Sequence, residues 1–295
     1  LVTKKRKFEI HKLTISGLIN NSDYRLVIRD CRRKIRKLGE AVWEHGGKSH
    51  ALESADSVRE GLHLRFLSYK TGYRPDVLDT DDYTIEPNPL TDSQTGVDYT
   101  HVLLVEEGDR WLLVIEKLQA GIWPNAIGLY LNWMLEEFGV PPTLLLQTGE
   151  GIVVSIEPEP GEAFIQRIES LDRVTKATLR IVRPNPSWAD LEDELSQEAG
   201  DSDAIHADLT MTAKPRETLK KTTGIVGKIK TLFRTRNLGH AVIEGVRGNN
   251  RDKFSTEQMP KTASPQVQLD DKGQVIPADA FTRMEKMVAN LKQIH

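Results

Sequence analysis

The sequence predicts an α+β fold in two parts, closed by a C-terminal helix. Three patterns predict it. Short strands read at Phe8–Ser16, Leu62–Tyr69, Tyr99–Val105, Trp111–Glu116 and Val174–Val182, with apolar and polar residues alternating along Leu62–Tyr69. Apolar residues at three- and four-residue steps mark helices between them. From Val174 onward the order is strand, helix, strand, helix, strand, which argues for helices packed on a sheet.

In chain order, Phe8–Ser16 is a first strand, and Asn20-Asn21-Ser22-Asp23 is a helix-start signal. A helix then carries Tyr24, Ile28, Cys31, Ile35, Leu38 and Val42 on a single stripe. Arg25, Arg29, Arg32, Arg33, Arg36 and Lys37 lie on its outer face, and Gly46-Gly47 is expected to end it. Residues 51–60 fit either type of element. Leu62, Leu64 and Phe66 point inward from the next strand. Residues 71–97 are turn-rich and acidic, with Pro75, Pro87, Pro89 and Gly96, and read as a long loop. Tyr99–Val105 and Trp111–Glu116 flank Glu107-Gly108-Asp109 as a hairpin. Pro124 opens a helix through Phe138, which Gly139 and Pro141-Pro142 stop.

Short strands are expected at Leu144–Gln147 and Ile152–Ile156, and a short helix over Gly161–Leu171. An acidic helix is expected over Trp188–Gln197. A strand with Ile205, Ala207, Leu209 and Met211 on its apolar face precedes Lys214-Pro215. A basic helix then follows, with Leu219, Thr222, Val226, Ile229 and Phe233 facing a core. Gly224 and Gly227 in this helix allow a bend or a close approach. Ala241–Val246 is another strand, and Pro277 opens a last helix with Phe281, Met284, Val288 and Leu291 on one face. A boundary near Pro158 gives two domains, 1–158 and 159–295, although an interleaved core fits the same order.

The chain has 295 residues, 38% hydrophobic and 28% charged, with a net charge of −3. That is the balance of a globular protein rather than a disordered one. The charges are segregated. Residues 190–203 hold seven acids and no Lys or Arg, and residues 78–98 are likewise acidic without a base. Lys214, Arg216, Lys220, Lys221, Lys228, Lys230, Arg234 and Arg236 gather around one acid, Glu217. A near-neutral protein with this separation can bind a polyanion on one face. These eight residues, with Arg32 and Arg33 of the first basic helix, are the candidate phosphate contacts. An ordinary solvated helix face is the competing explanation.

Catalytic and metal motifs are missing. The single Cys31 falls on an apolar stripe, so neither an intramolecular disulfide nor a Cys-rich metal site is expected. Eight histidines are scattered without the spacing of a helical metal site. Gly224-Ile225-Val226-Gly227-Lys228 lacks the spacing of a phosphate-binding loop. The enzymatic alternative is a metal-dependent nuclease using Asp76, Asp79, Asp81 and Asp82, with Glu116-Lys117 nearby. A third reading is an adaptor whose basic helices bind an acidic protein. No run of eighteen apolar residues and no signal peptide is seen, so a cytoplasmic location is expected.

The run from Asp208 to Arg216, Asp-Leu-Thr-Met-Thr-Ala-Lys-Pro-Arg, followed by Lys220-Lys221, resembles the RexA family of lambdoid phages. Leu269-Asp270-Asp271-Lys272-Gly273 before a Met-containing helix, and Val102–Gly108, are similar to that family as well. The resemblance implies a homodimeric, sequence-nonspecific DNA-binding protein of a phage-exclusion system, acting as an intracellular sensor beside a membrane channel protein (RexB-like). It implies no catalytic centre and no cofactor. Carried over by position, it points to Lys214, Arg216, Lys220 and Lys221. The basic helix Arg25–Lys37 and the acid Glu217 depart from the family pattern.

Overall fold

The computed structural model describes residues 2–19, 24–59, 61–72, 75–91, 93–108, 110–145, 151–182 and 206–292. The fold is α+β. The chain forms two compact units: residues 1–8, 13–156 and 263–295 make unit 1, and residues 9–12 and 157–262 make unit 2. The C-terminal segment thus belongs to unit 1, whereas the sequence reading grouped it with residues 159–262. Asn20–Asp23 and Trp188–Gln197 lie outside the described residues.

Unit 1 is built on a large sheet. Its strands are β1 (Thr3–Lys5), β2 (Phe8–Ser16), β3 (Trp43–His45), β4 (Lys48–Val58) and β5 (Gly61–Tyr69), then β6 (Val77–Leu78), β7 (Ile85–Glu86), β8 (Asp98–Glu107), β9 (Arg110–Glu116) and β10 (Val153–Pro158). Two short strands, β15 (Thr262–Ala263) and β16 (Gln266–Gln268), lie near the C-terminus. The sheet order is β10-β2-β9-β8-β5-β4-β3, with β15 on β2; β1 pairs β16, and β6 pairs β7 as a separate ribbon. Helices α1 (Tyr24–Lys34) and α2 (Pro124–Phe138) supply apolar side chains to the core formed with Leu52, Leu62, Leu64, Phe66, Val102 and Leu113. Two buried tyrosines tie helices to strands. The Tyr24 hydroxyl meets the backbone N–H and C=O of Ile15 at 3.1 and 3.2 Å. The Tyr130 hydroxyl donates to the Ala41 carbonyl and accepts from the Leu52 N–H, both at 2.9 Å.

The first basic helix is shorter than its stripe suggests. It ends at Lys34, and Leu38 is exposed in a short 3-10 turn, Leu38–Ala41. Gly46-Gly47 does not terminate it. Both glycines have positive φ, 60° and 74°, and make the hairpin turn between β3 and β4, closed by the His45–Lys48 pair. The ambiguous stretch 51–60 is β4 through Val58, paired along β5 with a bulge between Leu52 and Ser54.

His50 on β4 is buried, and its Nδ1 lies 2.8 Å from Ser68 Oγ. Burial, reinforced by the charges of Lys48 and His45, pushes it down to about 4. The unfolded chain therefore takes up a proton near the ordinary histidine value that the folded chain refuses. Stability is fully present above about pH 6.5 and falls as the pH drops towards 4, by about 3 kcal/mol in all. Denaturant midpoints of wild type and His50→Asn, compared between pH 7 and pH 4.5, should show this slope only in wild type.

Unit 2 is a two-layer arrangement. Strands β11 (Arg173–Val182), β12 (His206–Thr212), β13 (Ala241–Arg247) and β14 (Asn250–Ser255) form an antiparallel sheet ordered β12-β11-β13-β14. Helices α3 (Glu162–Ser170) and α4 (Gly224–Arg234) bury Phe164, Ile168, Ile225, Val226 and Ile229 with Val174, Ala177, Leu179 and Ile243. The basic helix begins at Gly224, not near Pro215, so Leu219 and Thr222 belong to a loop. Gly227 admits the close approach expected of it: a Cβ there would stand 2.6 Å from the Thr222 carbonyl oxygen. The last helix, α5 (Pro277–Lys292), belongs to unit 1.

Candidate nucleic-acid interface

The loop between β12 and α4 is pinned at both ends to the start of β11. The Ala213 N–H donates to the Thr175 carbonyl at 2.8 Å, and the Leu219 N–H donates to the Val174 carbonyl at 2.8 Å. The Val174 N–H donates to Thr218 Oγ1 at 3.0 Å. Between these anchors Lys214-Pro215-Arg216-Glu217 makes a tight turn, closed by the Glu217 N–H donating to the Lys214 carbonyl at 3.0 Å. Pro215 suits the second position of such a turn, and the third calls for positive φ, where glycine is the usual choice. Arg216 occupies it, with φ 68°.

A β-carbon held in the left-handed region costs about 1 kcal/mol. The cost is borne at an exposed site, outside the hydrophobic core of unit 2. Arg216→Gly is therefore expected to raise stability by about 0.5–1 kcal/mol, read as a higher denaturant midpoint, while weakening polyanion binding.

The other candidates divide sharply. Lys214 and Lys220 are exposed like Arg216, and the three cationic groups meet no carboxylate or carbonyl among the described residues. Lys221 instead reaches the C-terminal end of α3, where its Nζ donates to the Glu169 carbonyl at 2.9 Å and to the Leu171 carbonyl. Lys230 is buried and ion-paired with Glu169. A hydrogen bond from Lys230, with the charges of Lys230, Lys221 and Arg234 behind it, holds the Glu169 carboxyl below its ordinary range. Three of the eight cations thus serve one carboxylate and a helix end. Lys228, in the middle of α4, and Arg236, just past its end, are half-buried.

The first basic helix is committed internally in the same manner. Arg32 donates to the carbonyls of Glu53, at 2.7 and 3.2 Å, and Ile35, at 3.2 Å. Lys34 donates to the Phe138 and Gly139 carbonyls at the end of α2. Arg25 lies over the Trp111 ring, with 5.5 Å to its centroid. Arg33 remains 67% exposed, 3.8 Å from Asp30. Lysines and arginines at helix ends bind the last carbonyls and complement the dipole. Counting charges along a sequence cannot distinguish that use from an outward-facing cation.

The N-terminus of α4 follows the loop directly. Its first turn carries no acid, and Thr223 at the cap position makes no side-chain cap bond. A phosphate oxygen suits such an end electrostatically.

The acidic candidates do not converge. Among the described residues no three or more His, Cys, Asp or Glu side chains could hold a metal ion. Asp79 Oδ1 accepts from the Asp81 N–H at 2.8 Å, and Asp82 Oδ1 accepts from the Thr84 N–H and hydroxyl at 2.9 and 2.7 Å.

A group the sequence reading passed over lies in unit 1. His101 on β8 and Glu116 on β9 are 2% and 1% exposed, with His101 Nδ1 2.7 Å from Glu116 Oε2. Arg6 Nε stands 3.6 Å from Glu116 Oε1. Phe281 of α5 meets the His101 ring edge to face at 5.4 Å and stacks on His63 at 3.9 Å. Glu285, one turn along α5, pairs with His63 at 3.0 Å. The signal was present in the sequence: the hairpin register Val102–Ile115 puts His101 and Glu116 one step further on, side by side.

Residues 100–285 match the family described as Domain of unknown function (DUF4747). The chain belongs to that family. The DUF4747 span runs from β8 into α5, and so includes both the 213–223 loop and the His101–Glu116 pair. No curated protein matches the chain. Among the described residues no helix is long and apolar enough to cross a membrane.

Proposed function

We propose that this protein binds duplex DNA without sequence preference, through phosphate contacts made by Lys214, Arg216 and Lys220. Its role is in a phage-exclusion or anti-phage defence system of the kind the RexA resemblance implies. It acts in the cytoplasm as a homodimeric sensor, without catalysis of its own, and signals to a membrane channel partner.

The observation that carries the binding reading is Arg216, a non-glycine residue kept in the left-handed region at an exposed turn between two further exposed lysines. Strain at a surface position with no packing return points to function. Neighbouring geometry supports phosphate rather than base contact. The turn is anchored at both ends, no aromatic side chain lies between residues 212 and 223, and α4 carries no Asn or Gln to read bases. Lys221 and Lys230 support the same surface indirectly, by tying the loop and α4 to α3.

Fluorescence anisotropy with two duplexes of equal length and unrelated sequence tests the reading. Affinities within a few-fold of each other are expected. A preference above roughly a hundredfold would contradict it, because specific binders exceed that ratio.

A further inference from the structure

The ribbon β6–β7 is the least explained feature of unit 1. It pairs Val77 with Glu86 and Leu78 with Ile85, two residues on each strand. Its apolar side chains lie open to water: Val77 is 44% exposed, Leu78 50%, Ile85 71% and Tyr83 77%. A two-stranded ribbon alone is marginal in water, and contiguous exposed apolar residues mark a surface that something covers. Asp76, Asp79, Asp81, Asp82 and Glu86 surround these residues, and residues 75–91 contain no Lys or Arg. The occupant must therefore offer cations beside an apolar contact and, to suit a short ribbon, a strand at the end of a sheet.

Unit 2 of the same chain offers all three together. β12 is the edge strand of its sheet among the described strands. Met211 near its end is 46% exposed. Lys214, Arg216 and Lys220 follow at once in the anchored loop. Addition of a strand to an edge supplies backbone hydrogen bonds, while flanking side chains set specificity. Opposite charges at the rim steer such an encounter.

We propose that the β6–β7 ribbon of one copy docks on the β12 edge and basic loop of a second copy, and that this contact competes with DNA for the same cations. The ribbon then serves as an internal polyanion that DNA displaces. The competition rests on the DNA reading above; the docking itself does not.

Charge exchange between copies tests it. Sedimentation velocity at low salt should show reversible self-association of wild type, weakening as salt rises. The ribbon variant Asp76→Lys/Glu86→Lys and the loop variant Lys214→Glu/Lys220→Glu should each sediment as monomers, with unfolding midpoints like wild type because the altered side chains are exposed. An equimolar mixture of the two should associate again, since each reversed ribbon then meets a reversed loop.

Duplex DNA should disperse wild-type complexes. Tyr83→Ser/Ile85→Ser should bind duplex more tightly than wild type by the factor 1 + [protein]/Kd of the self-complex. A monomeric wild type at every concentration, or a mixture that stays monomeric, overturns the docking. Association and rescue by mixing, together with no duplex binding by any form, would leave the docking standing and remove the DNA reading and the competition with it.

Discussion

Glu116→Ala is expected to destabilise the protein by about 3 kcal/mol, a large share of the stability of an ordinary domain. Glu116 is 1% exposed between His101 and Arg6. Removing it leaves the buried His101 ring without its hydrogen-bond partner and Arg6 without its ion-pair partner, and an uncompensated buried polar group costs far more than a net hydrogen bond contributes. Replacing both members of the close pair, as His101→Leu/Glu116→Leu, should cost clearly less than Glu116→Ala, because the need and the partner vanish together. Urea unfolding of the three proteins checks this. A loss below about 1 kcal/mol for Glu116→Ala would place the pair among the contacts of no energetic consequence.

The second large effect concerns binding. Lys214→Ala/Arg216→Ala/Lys220→Ala is expected to lower duplex affinity on the order of several hundredfold near 0.1 M salt. Each lost phosphate contact removes about 0.9 from the slope of log K against log salt, so three contacts remove about 2.7. The fold should survive, since all three side chains are exposed. Arg32→Ala and Lys221→Ala behave otherwise. Both residues are spent on backbone carbonyls, so each should lower stability while reducing DNA affinity little.

Elements whose own sequence decides them were legible in advance. β2 runs from Phe8 to Ser16, and α2 from Pro124 to Phe138, at the bounds read from the sequence. The failures share one cause: a local pattern overruled by a distant partner. The stripe from Tyr24 to Val42 is helical in period throughout, yet Trp43–His45 pairs with β4 and Lys34 is held by the end of α2, so the helix stops early. Leu219 fits the stripe of α4 by spacing, but its N–H is bonded to β11 and the helix starts five residues later.

The candidate site shows the same division. Its position in the chain is legible from charge density, since charge segregation needs only a count. Which cations face outward is set by contacts with α3, α2 and β4, between 21 and 105 residues away along the chain. Arg216 stood out in the sequence only as one base among eight. Its significance comes from a backbone angle that no spacing rule supplies.

The central claim is that Lys214, Arg216 and Lys220 bind DNA phosphates, and the salt dependence of duplex binding tests it most directly. Anisotropy titrations of wild type and of the triple alanine variant, each at several salt concentrations, should give two straight lines of log K against log salt. The account predicts a variant line shallower by about 2.7, and the same wild-type slope on unrelated sequences. Parallel lines of equal affinity for wild type and a folded variant would contradict it, and would make the basic loop a solvated surface.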